Sequence, residues 1–304
     1  MTEERINKGM QSIFQHPLAE VFGFPTSNLT TEASRHRAKR LCPYNNKVPN
    51  CTKDKAKDPL GVCSVYEDDK AVITCPIRFR QDWIIADDAA AFFFPPNISW
   101  TSLTEVQLLD KNGRSAGNID VVLVAYDERG QVIDFGALEV QAVYISGNIR
   151  NAFEYYMKDP KNHQDMTWEG PNYPRPDYLS SSRKRLAPQL IYKGGILNTW
   201  GKKIAVAVDR HFFANLPLLP ETDSDKANIA WLVYDLVSNA PQIRYNLSKH
   251  HVVYTAFSPA LETITTTEAG SIEIFIDHLQ QKLDEKRENG YPPEALTLNE
   301  GLEE

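Results

Sequence analysis

Two polar side chains stand two residues apart in an apolar stretch, Glu139 and Gln141 in the string Gly136-Ala-Leu-Glu-Val-Gln141. A lone acid, Asp120, begins the apolar run just upstream. If both stretches are strands, Glu139 and Gln141 share one face, because strand side chains alternate. An acid on one strand, with an acid and a polar neighbour on the next, is the set of groups that metal-dependent hydrolysis of a phosphodiester requires.

The register of the two strands decides whether these carboxylates meet. A buried strand, a turn and a return strand follow one another here. A turn centred on Glu128 and Arg129 would place Asp120 opposite Ala137, with Glu139 at the diagonal position roughly 7–8 Å away between Cα atoms. That separation would let two carboxylates bind one divalent cation. The alternative is a half-exposed sheet edge without chemistry, which a short Glu-x-Gln pattern more often marks.

Cysteine usage predicts a second site. The chain has four cysteines, and all of them fall in one stretch, at Cys42, Cys51, Cys63 and Cys75. The N-terminus shows no apolar segment typical of a signal peptide, so we expect a cytoplasmic protein with reduced thiols. Four thiolates around one tetrahedral metal are then favoured over disulfides or free structural thiols, and iron and zinc both accept such ligands.

Length and composition are those of a globular protein. The 304 residues are 42% hydrophobic, and no apolar run approaches a membrane span. We expect N-terminal helices, at residues 5–14 and 17–22, and a cysteine metal module within residues 1–95. Residues 96–290 would form the core with the DNA-recognition elements, and the acidic tail 291–304 would be disordered.

The net charge of −7 is unusual for a nucleic-acid-binding protein, but its distribution is uneven. Basic residues cluster on both sides of the cysteine segment and again in a later helix. A metal would pull the two flanks together, so we expect one positive surface that contacts DNA. A solvated helix face is the alternative for each cluster. The candidate DNA-binding residues are Arg35, Arg37, Lys39, Arg40, Arg78, Arg80, Arg183 and Lys184.

Several segments, in this order, resemble the NotI restriction endonuclease family. They run from about residue 19 to about residue 260. The segments are Thr31-Glu-Ala-Ser-Arg, Cys42-Pro-Tyr, Gly61-Val-Cys63, Cys75-Pro-Ile-Arg78, Leu138-Glu-Val-Gln141 and Glu169-Gly-Pro-Asn172 with the basic helix that follows.

The resemblance implies an α/β PD-(D/E)XK nuclease core, with a mixed sheet flanked by helices, in a homodimer that cleaves double-stranded DNA with Mg²⁺. It implies that the four cysteines bind iron. It also implies that Asp120, Glu139 and Gln141 are catalytic, with Asp120 and Glu139 as magnesium ligands. Gln141 stands where most of the superfamily has lysine. Glu105 would match an additional acid at the active site.

The sequence therefore predicts a type II restriction endonuclease that hydrolyses DNA at a palindromic site. Two alternatives remain: a non-catalytic, metal-stabilised DNA-binding protein and a repair nuclease without sequence specificity. The presence of Asp120, Glu139 and Gln141 together favours an enzyme over the first alternative.

Overall fold

The computed structural model describes residues 16–45, 47–55, 57–169, 172–239 and 244–288. The chain divides into a large unit ending at Thr265 and a small unit that follows it. Among the described helices, none combines the length and apolar character needed to cross a bilayer. The helix predicted at residues 5–14 and the acidic tail at 291–304 lie outside the described residues, as does part of the Glu169–Asn172 segment.

The elements are numbered in chain order. The strands are β1 (Leu18–Val21), β2 (Phe24–Pro25), β3 (Asp54–Lys55), β4 (Asp58–Pro59), β5 (Val62–Glu67), β6 (Lys70–Ile73), β7 (Trp100–Leu109), β8 (Ser115–Tyr126), β9 (Val132–Gln141), β10 (Tyr144–Ser146), β11 (Arg175–Asp177), β12 (Ile204–Asp209), β13 (Ile229–Asn239) and β14 (Arg244–Thr255). The helices are α1 (Thr31–Lys39), α2 (Ile84–Phe93), α3 (Ile149–Lys158), α4 (residues 178–199), α5 (Arg210–Ala214), α6 (Phe257–Thr265) and α7 (Ile272–Glu288), with a 3₁₀ segment at Pro76–Trp83.

A mixed six-stranded sheet, in the order β14-β13-β12-β9-β8-β7, forms the centre of the large unit. The central strand β12 pairs in parallel with β9 and β13, and the remaining neighbours are antiparallel. All six residues of β12 are buried, as expected of a parallel strand covered on both faces. The predicted α/β class, with a mixed sheet flanked by helices, is confirmed.

Each face of this sheet carries its own apolar layer. Leu123 and Leu138 belong to a cluster that includes the apolar side of α2. Val122 and Ala137 point the other way and pack with the apolar side of α4 and with α6. Because side chains alternate along a strand, Asp120 is directed to the α4 face.

Helix α4 is interrupted twice by π-helical turns, at Ser182–Leu186 and Leu190–Gly194. Pro188 lies between them and has no backbone N–H to donate. A π-turn widens one helical turn and changes which residues face the core, and such turns are frequent at functional sites. The first turn carries the basic run around Lys184, and the second carries Lys193.

A small antiparallel sheet, in the order β2-β1-β5-β6, holds the cysteine segment. The helix predicted at residues 17–22 is wrong, because Leu18–Val21 is the strand β1, paired with both β2 and β5. All four of its residues are buried. A short apolar run of this kind does not distinguish a buried strand from a helix by periodicity.

Candidate active site

Asp120 and Glu139 lie opposite each other on β8 and β9. The ladder between the strands ends one position before them, and its register brings the two residues face to face. The predicted register, with Asp120 opposite Ala137, is wrong by two residues. The turn is centred on Arg129, and a β-bulge beside Tyr126 adds one further residue to β9.

Glu105 lies on the other side of Asp120, on β7. The residue pairs on either side of it fix its position opposite Asp120, although the ladder skips this position itself. Its φ is +56°, in the left-handed region that a side chain other than glycine adopts only at a cost in free energy. Three carboxylates thus form a row across three adjacent strands, and Glu105 is the exposed member.

The Asp120 side chain takes the place of a backbone acceptor where the hydrogen-bonded ladder between β8 and β9 ends. Its Oδ2 accepts a hydrogen bond from the Val140 backbone N–H at 2.8 Å. The strand amide is therefore satisfied by a carboxylate instead of a neighbouring carbonyl. Asp120 is half-buried and stays in contact with an open cleft.

Glu139 is the buried member of the row, with 3% of its surface exposed. Its Oε2 accepts a hydrogen bond from Lys193 Nζ at 2.5 Å. Its Oε1 is buried and has no hydrogen-bond partner among the described residues. Burial first, and then the Asp120 carboxylate, raise the pKa of Glu139 to about 8, and the Lys193 ammonium offsets part of that rise. An unsatisfied buried oxygen in a native protein indicates a place for a ligand.

Gln141 lies on the same face as Glu139 and is also buried. Its Nε2 donates a hydrogen bond to the Ala142 carbonyl oxygen at 2.7 Å. The central strand β12 lies beside β9. Val206 pairs there with Glu139 and Val208 with Gln141, and this parallel pairing holds β9 in position.

An open cleft of about 850 Å³ lies over these residues, with Asp120 and Gln141 in its lining. Its walls come from α4, from α3 and from the cysteine segment. The cationic side chains that line it are Lys53, Arg150, Lys184 and Arg185. A cleft with carboxylates in its lining and cations on its walls suits a polyanion held beside a metal ion.

Arg37 does not belong to a DNA-facing surface, contrary to the prediction. It is 3% exposed, and its guanidinium donates to the backbone oxygens of Asn28 and Pro25, both at 2.6 Å. Arg37 therefore ties α1 to the turn that precedes it. The basic run in the sequence concealed that one of its members faces inward on the helix.

Arg78 is likewise buried, with no exposed surface, and the prediction that it contacts DNA is wrong. Its Nε lies 3.0 Å from Glu20 Oε2. Its two amino groups donate to the Gln81 side chain and to the Tyr245 backbone oxygen. This guanidinium joins the small sheet to the edge of the large one.

The remaining basic candidates keep positions compatible with DNA. Arg35, Lys39 and Arg40 are exposed on or beside α1, although Arg40 forms an ion pair with Asp58 at 2.5 Å. Arg80 is half-buried, with its guanidinium 5.7 Å from the centre of the Trp83 ring. Two more, Arg183 and Lys184, are exposed on α4, and Lys184 lines the cleft.

The four cysteines are brought together in space. None forms a disulfide, and all four line one small cavity of about 10 Å³. Burial raises the pKa of Cys42 to about 11, although the N–H groups of Tyr44 and Asn45 hydrogen-bond its sulfur and oppose the rise. Burial also raises the pKa of Cys63, and the other three sulfurs add to that rise.

The four sulfurs are not arranged as a metal-binding cluster in this structure. In the part of the chain that the structure describes, no group of three or more His, Cys, Asp or Glu side chains is placed to hold a metal ion. This covers both the cysteines and the row of carboxylates. The metal ligands predicted from the sequence therefore stay predictions.

Lys193 was not among the residues predicted from the sequence, although a signal for it was present. In α4 the apolar positions Leu186, Leu190 and Leu197 recur at the spacing of one helix face, and Lys193 falls on the same face. A charged residue within an apolar stripe needs a buried partner. Here that partner is Glu139.

The family model described as Restriction endonuclease NotI matches residues 26–247, which include both the four cysteines and the row of carboxylates. No protein of established function matches the full sequence. The chain belongs to the NotI restriction endonuclease family. It is a type II restriction endonuclease, a site-specific enzyme that acts on double-stranded DNA, and the predicted family and function are confirmed.

Proposed function

We propose that the protein is a Mg²⁺-dependent homodimer with a PD-(D/E)XK core that hydrolyses one phosphodiester bond in each strand of a palindromic DNA site. Asp120 and Glu139 would hold the magnesium, Glu105 would be an additional acid at the site, and Gln141 would contact the attacking water. The observation that carries the proposal is the row of three carboxylates at the point where the ladder of the sheet ends, beside a cleft with cationic walls.

The donor set fits a hard divalent cation. Mg²⁺ prefers carboxylate and carbonyl oxygens, and Glu139 has a buried oxygen that lacks a partner among the described residues. Burial and the Asp120 carboxylate raise the pKa of Glu139 despite the Lys193 ammonium, so a metal cation beside the two acids would favour the ionised form. When bound, Mg²⁺ would supply a water of lower pKa and neutralise charge at the phosphate.

Gln141 can position a water but cannot take its proton. A side-chain amide donates and accepts hydrogen bonds, but it does not ionise near neutral pH. The proton released by the attacking water therefore goes to the phosphate or to bulk water. We expect the amide to serve orientation, so its loss should affect the rate less than the loss of a carboxylate.

The cations that line or flank the cleft would bind DNA phosphates. Lys184 lines the cleft directly, and the remaining members of the predicted set would extend the contact. These are the exposed Arg35, Lys39, Arg40 and Arg183 and the half-buried Arg80. Contacts of this kind make affinity fall with salt concentration. Base-specific contacts would instead change which sequences are cut.

A dimer follows from the chemistry of cutting both strands. One chain supplies one row of carboxylates, which serves one scissile phosphate. Two copies related by a two-fold axis place two such rows on the two antiparallel strands, and the bound sequence is then palindromic.

Four thiolates would hold an iron or zinc ion that stabilises the small sheet. Soft sulfur ligands select these metals, and the sulfurs of Cys42, Cys51, Cys63 and Cys75 share one small cavity. Backbone N–H groups already donate to the sulfurs of Cys42 and Cys51, as second-sphere donors do at thiolate sites. Four protein ligands leave no open position, so the metal would be structural.

The first experiment is cleavage of plasmid DNA with Mg²⁺. Discrete bands are expected from the wild type, and no cleavage from Asp120→Asn or Glu139→Gln. The matched control is Asp134→Asn, another acid on β9 that pairs with Lys202 at the surface. Wild-type turnover in Asp120→Asn or Glu139→Gln would remove the site assignment, and a smear would favour a repair nuclease.

The second experiment measures metal content. About one iron or zinc per chain is expected, and Cys51→Ser should lower both metal content and thermal stability, since metal binding at such sites contributes folding free energy. A wild-type protein that purifies without metal, and that cleaves DNA after chelation and addition of Mg²⁺, would exclude the thiolate centre.

A further inference from the structure

Lys193 is a buried cation in direct contact with the catalytic row. It lies in the second π-turn of α4 and is 5% exposed. Its Nζ donates to Glu139 Oε2 at 2.5 Å and to the Asn118 backbone oxygen at 2.9 Å. An ammonium has three donors, and these two contacts use two of them.

The two acceptors belong to different strands. Asn118 lies on β8, two residues before Asp120, and Glu139 lies on β9. The hydrogen-bonded ladder between β8 and β9 has already ended at this level. Lys193 therefore joins the two strands beyond the last backbone pair, at the level of the carboxylates.

The glycine next to the lysine allows α4 to pack closely on α6. A Cβ on Gly194 would lie 2.7 Å from the Phe257 ring, so only glycine lets α4 pack this closely on α6. A Cβ on Gly117 would lie 3.6 Å from Lys193 Cδ, so the lysine stem runs directly over the β8 backbone. The approach is built into the packing of the helix.

Most neighbouring positions on this face of the helix are apolar. Lys193 shares its helix face with Leu190 and Leu197, and a buried ion pair is often no more stabilising than apolar side chains of similar volume. A cation at such a place points to a function other than stability. The carboxylate that it holds belongs to the candidate catalytic row.

We propose that Lys193 is a positioning residue of the catalytic site, which fixes the Glu139 carboxylate and the spacing of β8 and β9 so that Asp120 and Glu139 bind the same metal ion. The proposal rests on the proposed function of these two acids. It assigns to α4 a second role beside DNA contact, because the same helix carries Lys184 into the cleft.

The test is Lys193→Met, which keeps most of the side-chain volume and removes the charge. Loss of a residue that orients a metal ligand typically lowers metal affinity or activity about 10–100-fold. We expect Mn²⁺ binding without DNA, followed by electron paramagnetic resonance, to weaken by this factor. The kcat should fall similarly, with KM for DNA changed by less than about threefold.

The matched control is Lys202→Met, which removes a lysine that pairs with Asp134 on the same strand, β9, at 2.6 Å. Lys202 is partly exposed and contacts neither member of the acid pair. This variant should keep wild-type kcat and Mn²⁺ affinity. If both lysine variants lose metal affinity equally, the effect is a general one on β9 and the proposal is overturned.

Two outcomes in Lys193→Met would also overturn it. Unchanged Mn²⁺ affinity in a folded variant would mean that Lys193 is only structural. Tighter Mn²⁺ binding would mean that it acts only by repelling the metal. If Lys193→Met does not fold, Lys193→Leu, which matches the apolar residues of the same helix face and also removes both hydrogen bonds, is measured in the same way with the same expected and contrary results.

Different results would contradict the role of Lys193 and the proposed catalytic role of the two acids. If Asp120→Asn and Glu139→Gln are inactive while Lys193→Met keeps the wild-type kcat and Mn²⁺ affinity, only the role of Lys193 is wrong. If Asp120→Asn cleaves DNA at the wild-type rate, the catalytic assignment itself is wrong.

Discussion

Two buried carboxylates, each paired with a cation, stand in two regions of the molecule and differ in how completely they are satisfied. Glu20 lies in the small sheet, where both of its oxygens lie within 3.1 Å of Arg78 Nε and one also accepts from Ser64. Glu139 lies in the large sheet, where one oxygen accepts from Lys193 and the other has no partner among the described residues.

The cations differ in the same way. The Arg78 guanidinium is planar and uses its remaining amino groups on Gln81 and Tyr245, so the whole group forms a closed structural joint. The Lys193 ammonium is a compact charge that can rearrange more easily. Burial and an ion pair are common to both carboxylates, so these two properties alone do not identify the candidate site. The Glu139 pair differs from the Glu20 pair in two ways: one carboxylate oxygen has no partner among the described residues, and Asp120 beside it lines an open cleft.

The largest effects are expected from exchanging the two carboxylates for amides. Glu139→Gln should lower the cleavage rate by about 10³-fold or more, because a metal ligand is worth several kcal/mol at the transition state. Glu20→Gln should leave the cleavage rate of folded enzyme intact but lower the melting temperature. Melting curves and single-turnover rates are measured on both variants. A cleavage rate that falls in folded Glu20→Gln but not in Glu139→Gln would contradict the roles given to the two carboxylates.

The next effect is on stability alone. Arg78→Met leaves the Glu20 carboxylate buried without its partner, which should lower the free energy of unfolding by about 3–5 kcal/mol. Arg80→Met, two residues away and half-buried, should lower it by less than about 1 kcal/mol. Urea unfolding measures both. An unchanged free energy of unfolding in Arg78→Met would show that the ion pair between Arg78 and Glu20 does not stabilise the fold.

His16 is a titratable group outside both ion pairs, and its half-buried ring lies beside the first residue of β1. Its Nδ1 accepts a hydrogen bond from the Leu18 N–H at 3.0 Å, which requires a neutral ring. Burial lowers the pKa of His16 to about 4. The unfolded chain therefore binds the proton first as the pH falls below 6.5, and stability is lost between about pH 6.5 and 4.

At pH 5 this loss should reach about 2 kcal/mol. His16→Gln should show a smaller drop in melting temperature between pH 7.5 and pH 5.0 than the wild type. His278→Gln, at an exposed position of α7, is the matched control. Equal drops in all three proteins would exclude His16 as the source of acid sensitivity.

The smallest effect is expected at the cleft wall. Lys184→Ala should weaken DNA binding several-fold and reduce the salt slope by about one, because it removes one phosphate contact. The kcat at saturating DNA should remain, in contrast to Lys193→Met on the same helix. Filter binding over a range of salt concentrations, in Ca²⁺ to prevent cleavage, measures the change. An unchanged slope would mean that Lys184 is only solvated.

The sequence by itself determined the family, the α/β class and the acids that define the candidate site. Each of them can be read from short stretches of sequence. Asp120 and Glu139 stand out because a charge within an apolar strand is rare, and Glu139 and Gln141 share a face because strand side chains alternate. The clustering of the four cysteines was also visible without a structure.

The register of β8 and β9, the burial of Arg37 and Arg78 and the contact between Lys193 and Glu139 depend on the tertiary structure. A turn centred on Arg129 and a bulge beside Tyr126 together place Asp120 opposite Glu139, and no local sequence pattern predicts a bulge. Arg78 and Arg80 look alike in sequence, but the partner that buries Arg78 lies 58 residues away. Lys193 meets Glu139 across 54 residues. Side chains brought together over such separations are fixed by packing, which the order of residues along the chain does not display.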